Sequence, residues 1–288
     1  MRAERMEANM KAKRFLSGIL AISASVGCMF SMTGCETSRP KVQMEITFQD
    51  DTYVLNYTLY RKVAPATVEH FLTLAENHYY DGVVVHDYNT TRMYTGAYAH
   101  SDTDDTGLEY KKYFDIVKNY QYFPHTVYAV NGNPTYTLCG EFDDNNIGPE
   151  SGKKKETFGA LTMYYSEKES DVFTVKIDHP EVAEDVEITR DYPYNSATSM
   201  FFITIGSTET NNSRYCTFAT LDAGSVDTLK DLKKDIADYI DDNGSDAKKK
   251  QTVKIDTDDP LFGDTSKPVE YNVLQSPVTI KKVTVKSR

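Results

Sequence analysis

Apolar and polar residues alternate through Val42-Gln43-Met44-Glu45-Ile46-Thr47-Phe48, the period of a strand with one buried face. Asp50-Asp51 predicts a turn, and Tyr53-Val54-Leu55-Asn56-Tyr57-Thr58-Leu59-Tyr60 a second strand, so the pair reads as a hairpin. The period then changes. Pro65 suits a first helical position, where a missing N–H is harmless, and Val68, Phe71, Leu72 and Ala75 share one helical face. Asp81-Gly82 predicts a turn into the strand Val83-Val84-Val85. Residues 135–142, 160–164, 200–205 and 215–221 read as further strands. A second helix is predicted over 225–240, with Ser225 as its N-cap and Val226, Leu229, Leu232 and Ile236 at helical spacing. The Asp- and Lys-rich stretch 241–259 reads as a solvated loop, and 278–280 with 283–285 as the last strand. Many strands and two helices predict a mainly β fold, a closed barrel capped by helices.

With 40% hydrophobic and 26% charged residues, the chain has the composition of a soluble globular protein. Its beginning departs from that. Lys11, Lys13 and Arg14 precede an apolar run over 15–30, which has the length of a signal core and is too short for a confident membrane span. The run ends in Ser31-Met32-Thr33-Gly34-Cys35, which resembles a bacterial lipobox. Cys35 is the expected lipidated residue, and Cys28 after Val26-Gly27 is a weaker alternative. The expected organisation is a signal peptide 1–34, a lipidated tether 35–41 and one domain 42–288, exported and anchored to the outer face of the bacterial cell membrane. Two acyl chains on one residue suffice for stable anchoring. Without residues 1–34, 27 Lys/Arg face 41 Asp/Glu, a net charge of −14. That balance argues against nucleic acid as a partner and against electrostatic adhesion to anionic lipid. Export permits a disulfide between Cys139 and Cys216, but sequence does not set their separation; two buried free thiols are the favoured reading.

Several segments occur in a telling order. Ala64-Pro65-Ala66-Thr67-Val68-Glu69-His70-Phe71-Leu72 is followed by Tyr79-Tyr80-Asp81-Gly82 and Val85-His86-Asp87. Then come Leu138-Cys139-Gly140-Glu141-Phe142, Phe158-Gly159-Ala160-Leu161-Thr162-Met163, Asn195-Ser196-Ala197-Thr198-Ser199-Met200-Phe201-Phe202-Ile203-Thr204, and Phe218-Ala219-Thr220-Leu221. This collinear set, spanning roughly 42–285, resembles the cyclophilin-type peptidyl-prolyl cis-trans isomerases. The resemblance implies a cyclophilin-like closed eight-stranded antiparallel β-barrel capped by two α-helices, here with long insertions at 98–133 and 166–191. It also implies a substrate groove outside the barrel, with proline held in an apolar pocket.

Carried onto this sequence, the resemblance makes Phe202 and Met93 the pocket floor and wall. Asp87 stands at the place of the catalytic arginine, and Arg92 at that of an aromatic pocket residue. Thr95 and Met200 replace glutamines, Tyr164 and Tyr165 a small residue and an asparagine that pair with substrate backbone, and Tyr215 a histidine. The aromatic residue expected near Thr210 is absent. Isomerisation is rotation about a C–N bond with a barrier of roughly 18–20 kcal/mol. A guanidinium donor to the prolyl nitrogen favours the twisted state, and an ionised Asp87 has no proton to donate. Arg92, which also lines the expected groove, is the candidate replacement donor; the favoured alternative is that it pairs with Asp87 or faces solvent.

No metal or cofactor is expected. His70, His78 and His86 recur every eight residues, a spacing that does not converge on one helix face, and the loop that opens at Asp102 has Tyr113 where a calcium loop needs Glu. The function expected from the resemblance is isomerisation of X-Pro bonds in exported proteins, at a rate reduced by Asp87, with unfolded or proline-containing polypeptides as partners and a monomeric domain. The alternatives are a non-catalytic module of the same fold that holds such chains, and, third, a surface adhesion or assembly protein. The insertions either extend or cover the groove, surface elaboration being the favoured reading.

Overall fold

The computed structural model describes residues 37–103, 107–117, 126–128, 134–142, 154–166, 196–206, 215–253 and 269–288. The expected first hairpin is present as β1 (Lys41–Phe48) and β2 (Asp51–Leu59), paired from Lys41↔Thr58 to Phe48↔Asp51. Its turn is one residue earlier than expected, because Asp51 joins the ladder opposite Phe48 and leaves Gln49-Asp50 to reverse the chain, Gln49 at φ 51°. Alternation buries Val42, Met44, Ile46 and Phe48 against Tyr53, Leu55, Tyr57 and Leu59.

The other strands are β3 (Val83–Val84), β4 (Asp87–Tyr88), β5 (Arg92–Thr95), β6 (Tyr98–His100), β7 (Leu108–Tyr110), β8 (Thr126–Tyr128), β9 (Pro134–Cys139), β10 (Leu161–Ser166), β11 (Ser196–Thr204), β12 (Thr217–Leu221), β13 (Lys248–Val253), β14 (Val269–Leu274) and β15 (Val278–Ser287). The main ladder runs β5-β11-β10-β12-β2-β1-β15. At its ends β4 pairs with β5 and β3 with β15. β3 and β4 are halves of one bent segment, 83–88, where Val85 N donates to Val278 O (2.8 Å) and His86 N to Tyr94 O (2.9 Å). The ring is therefore continuous along the chain but its ladder breaks at the bend, so the expected closed eight-stranded barrel is met in part, as a strongly curled antiparallel sheet.

One helix packs at each end of the sheet. α1 (Pro65–Glu76) has Pro65 in its first turn and buries the expected Val68, Phe71, Leu72 and Ala75. Phe71 centres an aromatic cluster with Tyr80, Phe201 and Phe218, at ring-centroid distances of 5.0, 5.6 and 5.2 Å. The helix has no capping side chain of its own. Glu141 supplies one from a distant loop, accepting from Ala66 N (3.1 Å) and Thr67 N (2.8 Å), so a carboxylate faces the positive end of the helix dipole. Within the insertion 98–133, the short helix α2 (Phe114–Val117) follows Tyr113, which is buried against His70 of α1 and Tyr79. The second insertion lies almost wholly outside the described residues.

α3 (Val226–Asn243) runs three residues beyond the expected end. Ser225 does not cap it; the hydroxyl instead accepts from Asn56 N (2.9 Å) and ties the helix start to β2. The predicted loop 241–259 is corrected more strongly. Its middle is β13, which pairs with β14 from Lys248↔Leu274 to Val253↔Val269 as a separate two-stranded sheet. Lys248-Lys249-Lys250-Gln251-Thr252 carries no apolar alternation; the hairpin is held by its ladder and by buried Tyr271 and Leu274 on the partner strand. Its two ends meet where Gln275 N donates to Ala247 O (2.9 Å). Cys216 is a buried free thiol, pushed up well above the usual thiol range by burial, while the Cys139 side chain lies outside the described residues.

Candidate active site

β5 and β11 build the centre of the site. Their register sets Met93 against Ile203, Tyr94 against Phe202 and Arg92 against Thr204. Met93 and Ile203 point into the barrel core, whereas Asp87, Tyr94 and Phe202 form one row across the outer face of β4, β5 and β11. Gly96 permits the close approach of the two strands: at φ 99°, a Cβ there would stand 2.3 Å from Ser199 O. Phe202 lies on that outer face and Met93 on the inner one, and Tyr94 and Tyr215 flank Phe202 with ring centroids 5.4 and 5.5 Å away.

Arg92 covers Phe202 from the outer side. Its guanidinium lies 4.3 Å from the Phe202 ring centroid and 4.9 Å from that of Tyr215. Nε and Nη2 donate to the two Glu156 carboxylate oxygens at 2.9 and 2.8 Å, a bidentate charge-assisted pair. Glu156 is buried and also accepts from Thr204 Oγ1 at 3.2 Å. Burial opposes the charge on Arg92, but hydrogen bonds to Glu156 and Tyr94 more than offset it and hold the guanidinium above its ordinary value. Phe202 consequently has no exposed surface. Removing one partner of a buried ion pair typically costs about 3–5 kcal/mol, so the plug resists displacement.

The Asp87 end is closed differently. Asp87 Oδ1 accepts from Asn272 N (2.9 Å) and Asn272 Nδ2 (3.2 Å), both on β14. Burial raises the carboxyl above its ordinary value, opposed by the Asn272 and Tyr88 hydrogen bonds and the Lys248 charge. The same hairpin lays Tyr271 on His86, whose ring is fully buried between Tyr271 (4.8 Å) and Tyr98 (5.0 Å). Neither His86 ring nitrogen has a hydrogen-bond partner among the described residues, and burial pushes the imidazole down to about 3. Lys248 lies over the Tyr88 ring at 4.8 Å.

The remaining expected site residues divide. Thr95 is buried and its hydroxyl donates to Val84 O at 2.9 Å. Met200 packs with Val84, Ala97, Tyr98, Leu108 and Tyr271 beneath the hairpin. Tyr164 stands 5.1 Å from Tyr94, and Tyr165 fills the space between Phe142 and Tyr215 at 4.9 and 5.4 Å. Tyr94, Phe202 and Tyr215 therefore come together around Arg92, with Tyr164 against Tyr94, while Met93, Thr95 and Met200 face the interior or the underside of the hairpin. Thr210 and Cys35 lie outside the described residues. Sequence reading missed Glu156, Tyr94, Tyr271 and Asn272. Only Tyr94 carried a signal, through its strand alternation beside Arg92. No group of three or more His, Cys, Asp or Glu side chains suited to a metal ion occurs among the described residues.

No curated protein matches the chain by sequence. Two solved structures of a Cryptosporidium parvum cyclophilin type peptidyl-prolyl cis-trans isomerase are similar to it. One covers 87% of this chain and 99% of its own at 16% identity and a TM-score of 0.42. The other, in the presence of the dipeptide Ala-Pro, covers 86% and 99% at 16% identity and a TM-score of 0.41. Residues 42–257 match the family described as cyclophilin type peptidyl-prolyl cis-trans isomerase/CLD, three quarters of the chain in the order expected from its motifs. The chain belongs to the cyclophilin-type peptidyl-prolyl cis-trans isomerase family.

Proposed function

We propose that this chain is an exported, lipid-anchored cyclophilin-type domain that holds unfolded or proline-containing polypeptides, with isomerase turnover at or near the uncatalysed rate. The observation that carries the low turnover is the Arg92–Glu156 pair seated on Phe202, which occupies the face a prolyl ring would need, while the holding of extended chains is supported by the family match alone. Asp87, bound to Asn272, supplies no donor at the place of the family's arginine. Anchoring is supported by the order of basic residues, apolar run and Cys35 within residues 11–35. A protease-free isomerisation assay on an Ala-Pro peptide is expected to return the spontaneous relaxation, tens to hundreds of seconds at 25 °C. A strong acceleration overturns the reading.

A second reading keeps turnover and makes Arg92 the donor. It is favoured by the Nη1 contacts, which are long: 3.4 Å to the Tyr94 hydroxyl and 3.5 Å to that of Tyr215. Here Arg92→Ala abolishes a measurable wild-type acceleration; an unchanged rate rules Arg92 out.

A further inference from the structure

The chain enters the barrel on a short lead. Thr37 N donates to Arg288 O (2.7 Å), Arg61 N to Ser38 O (3.2 Å) and Leu59 N to Pro40 O (2.8 Å). Only Glu36 separates Cys35 from this fixed backbone, a reach of about 7 Å at roughly 3.3–3.6 Å per extended residue. Whatever holds Cys35 therefore holds this surface close to it.

That surface is basic, in a chain of net charge −11. The Tyr60 ring lies between the Arg39 guanidinium, 5.9 Å from its centroid, and Lys154 Nζ, 3.9 Å away. Lys62 and Lys155, two residues after Tyr60 and one after Lys154 in the chain, are exposed. Arg39, Lys62, Lys154 and Lys155 make no ion pair among the described residues. The neighbouring cations are neutralised: Lys41 by Asp222, Arg61 by Glu69, and Arg288 by Glu69 and Glu76. The opposite end of β2 carries α3, docked through Tyr53 on Asp235 and Phe48 on Tyr239. There the exposed lysines Lys230 and Lys234 are each matched by an aspartate.

Against the expectation from net charge, we infer that the local Arg39–Lys62–Lys154–Lys155 patch faces the membrane and binds anionic lipid headgroups beside the anchor. The orientation rests on the lipidation of Cys35 proposed above; the affinity of the patch does not. Each Lys or Arg near an anionic surface strengthens partitioning about fivefold, and a basic patch beside acyl chains is a second membrane signal. The acidic remainder of the domain is repelled by the same surface, which fixes the orientation. Lys154 shares a crevice with Glu141, Phe142 and Tyr215, so the aromatic site ends at this same face.

Two measurements test the inference separately from the anchor. The unlipidated Cys35→Ser chain is mixed with vesicles rich in phosphatidylglycerol or made of phosphatidylcholine alone and sedimented. The expected result is salt-sensitive binding to the anionic vesicles only, lost in Arg39→Glu/Lys62→Glu/Lys155→Glu and retained in Lys230→Glu/Lys234→Glu, with circular dichroism confirming that both variants fold. Equal sedimentation with both vesicle types, or equal loss in both variants, overturns the patch. The lipidated protein in anionic vesicles is then treated with a membrane-impermeant amine reagent. Lys62, Lys154 and Lys155 are expected to be protected relative to Lys230 and Lys234, and uniform labelling overturns the orientation. An unmodified Cys35 by mass spectrometry overturns the anchor while leaving the vesicle result standing.

Discussion

The Phe202 and Asp87 ends of the outer face of β4, β5 and β11 are covered by devices of different kinds. At the pocket end, one side chain of the barrel itself, Arg92, lies on Phe202 and is held by Glu156. At the Asp87 end, an added hairpin lies over His86 and is held by Asn272 on Asp87. The first closure is a buried charge pair, and its strength comes from the penalty of leaving either partner alone. The second is a packed element with a polar latch, and its strength comes from aromatic burial. A change of one residue can therefore open the pocket end, whereas the hairpin must move as a unit.

The largest expected effect breaks the pocket end. Arg92→Ala or Glu156→Ala should each destabilise the fold by about 3–5 kcal/mol in urea unfolding. Arg92→Met/Glu156→Leu should lose far less than the two single changes together, because no charge is left buried. Single losses below about 1 kcal/mol, the range of exposed pairs, would remove the distinction between the two ends.

Acid comes next, striking the hairpin end through His86 and α1 through His70. His86 and His70, held neutral by burial at about 3 and about 4, bind protons more readily in the unfolded chain, whose histidines titrate near 6.5. Their contribution is complete above pH 6.5 and is lost as pH falls toward the folded values. At pH 5 each should have lost about 2 kcal/mol of stability. Asp87, with its carboxyl raised, has the opposite sign: it opposes this loss at the acid end, as pH falls through its raised value to the ordinary carboxylate range. His86→Phe should therefore flatten roughly half of the pH 7 to pH 5 decline in denaturant midpoint; an unchanged slope would show that the hairpin does not bury this ring.

The latch itself is weaker. Asn272→Ala should cost about 1–3 kcal/mol, and a double-mutant cycle with Asp87→Ala should show coupling between them. Asp87→Arg should lower stability and leave isomerisation unchanged, since the new side chain meets the hairpin rather than a substrate. A large rate increase in that variant would mean that the hairpin leaves the groove readily. The smallest effect is Lys248→Ala, which removes a cation from the Tyr88 ring and should cost about 0.5–1 kcal/mol by the same unfolding measurement.

Local pattern carried the barrel. Alternation in 42–48, the face of Val68, Phe71, Leu72 and Ala75, and the order of the family segments all describe contacts within a strand, a helix turn or a hairpin. The closures were not legible because their partners are remote: Glu156 is 64 residues from Arg92, and Asn272 is 185 from Asp87. β13 was read as loop because a run of three lysines has no periodicity to show. Ser225 looked like a cap by position, and only the fold revealed that Asn56 uses its hydroxyl. The substitutions at Asp87 and Arg92 were visible, the one as a lost donor and the other as its candidate replacement, whereas in the folded chain each is one half of a closure.

The β13–β14 hairpin also has a consequence for how such a chain varies. Ala247, at the end of the turn after α3, and Gln275, before β15, are joined by a backbone hydrogen bond, so β13 and β14 stand on a fixed stem. Each doubling of an inserted loop costs only about 0.6 kcal/mol in closure entropy, so this stem tolerates length and composition changes that the sheet does not. Lineages or engineers can rewrite what covers His86 and Asp87 without touching a barrel strand, which makes groove access, rather than the scaffold, the quantity free to change.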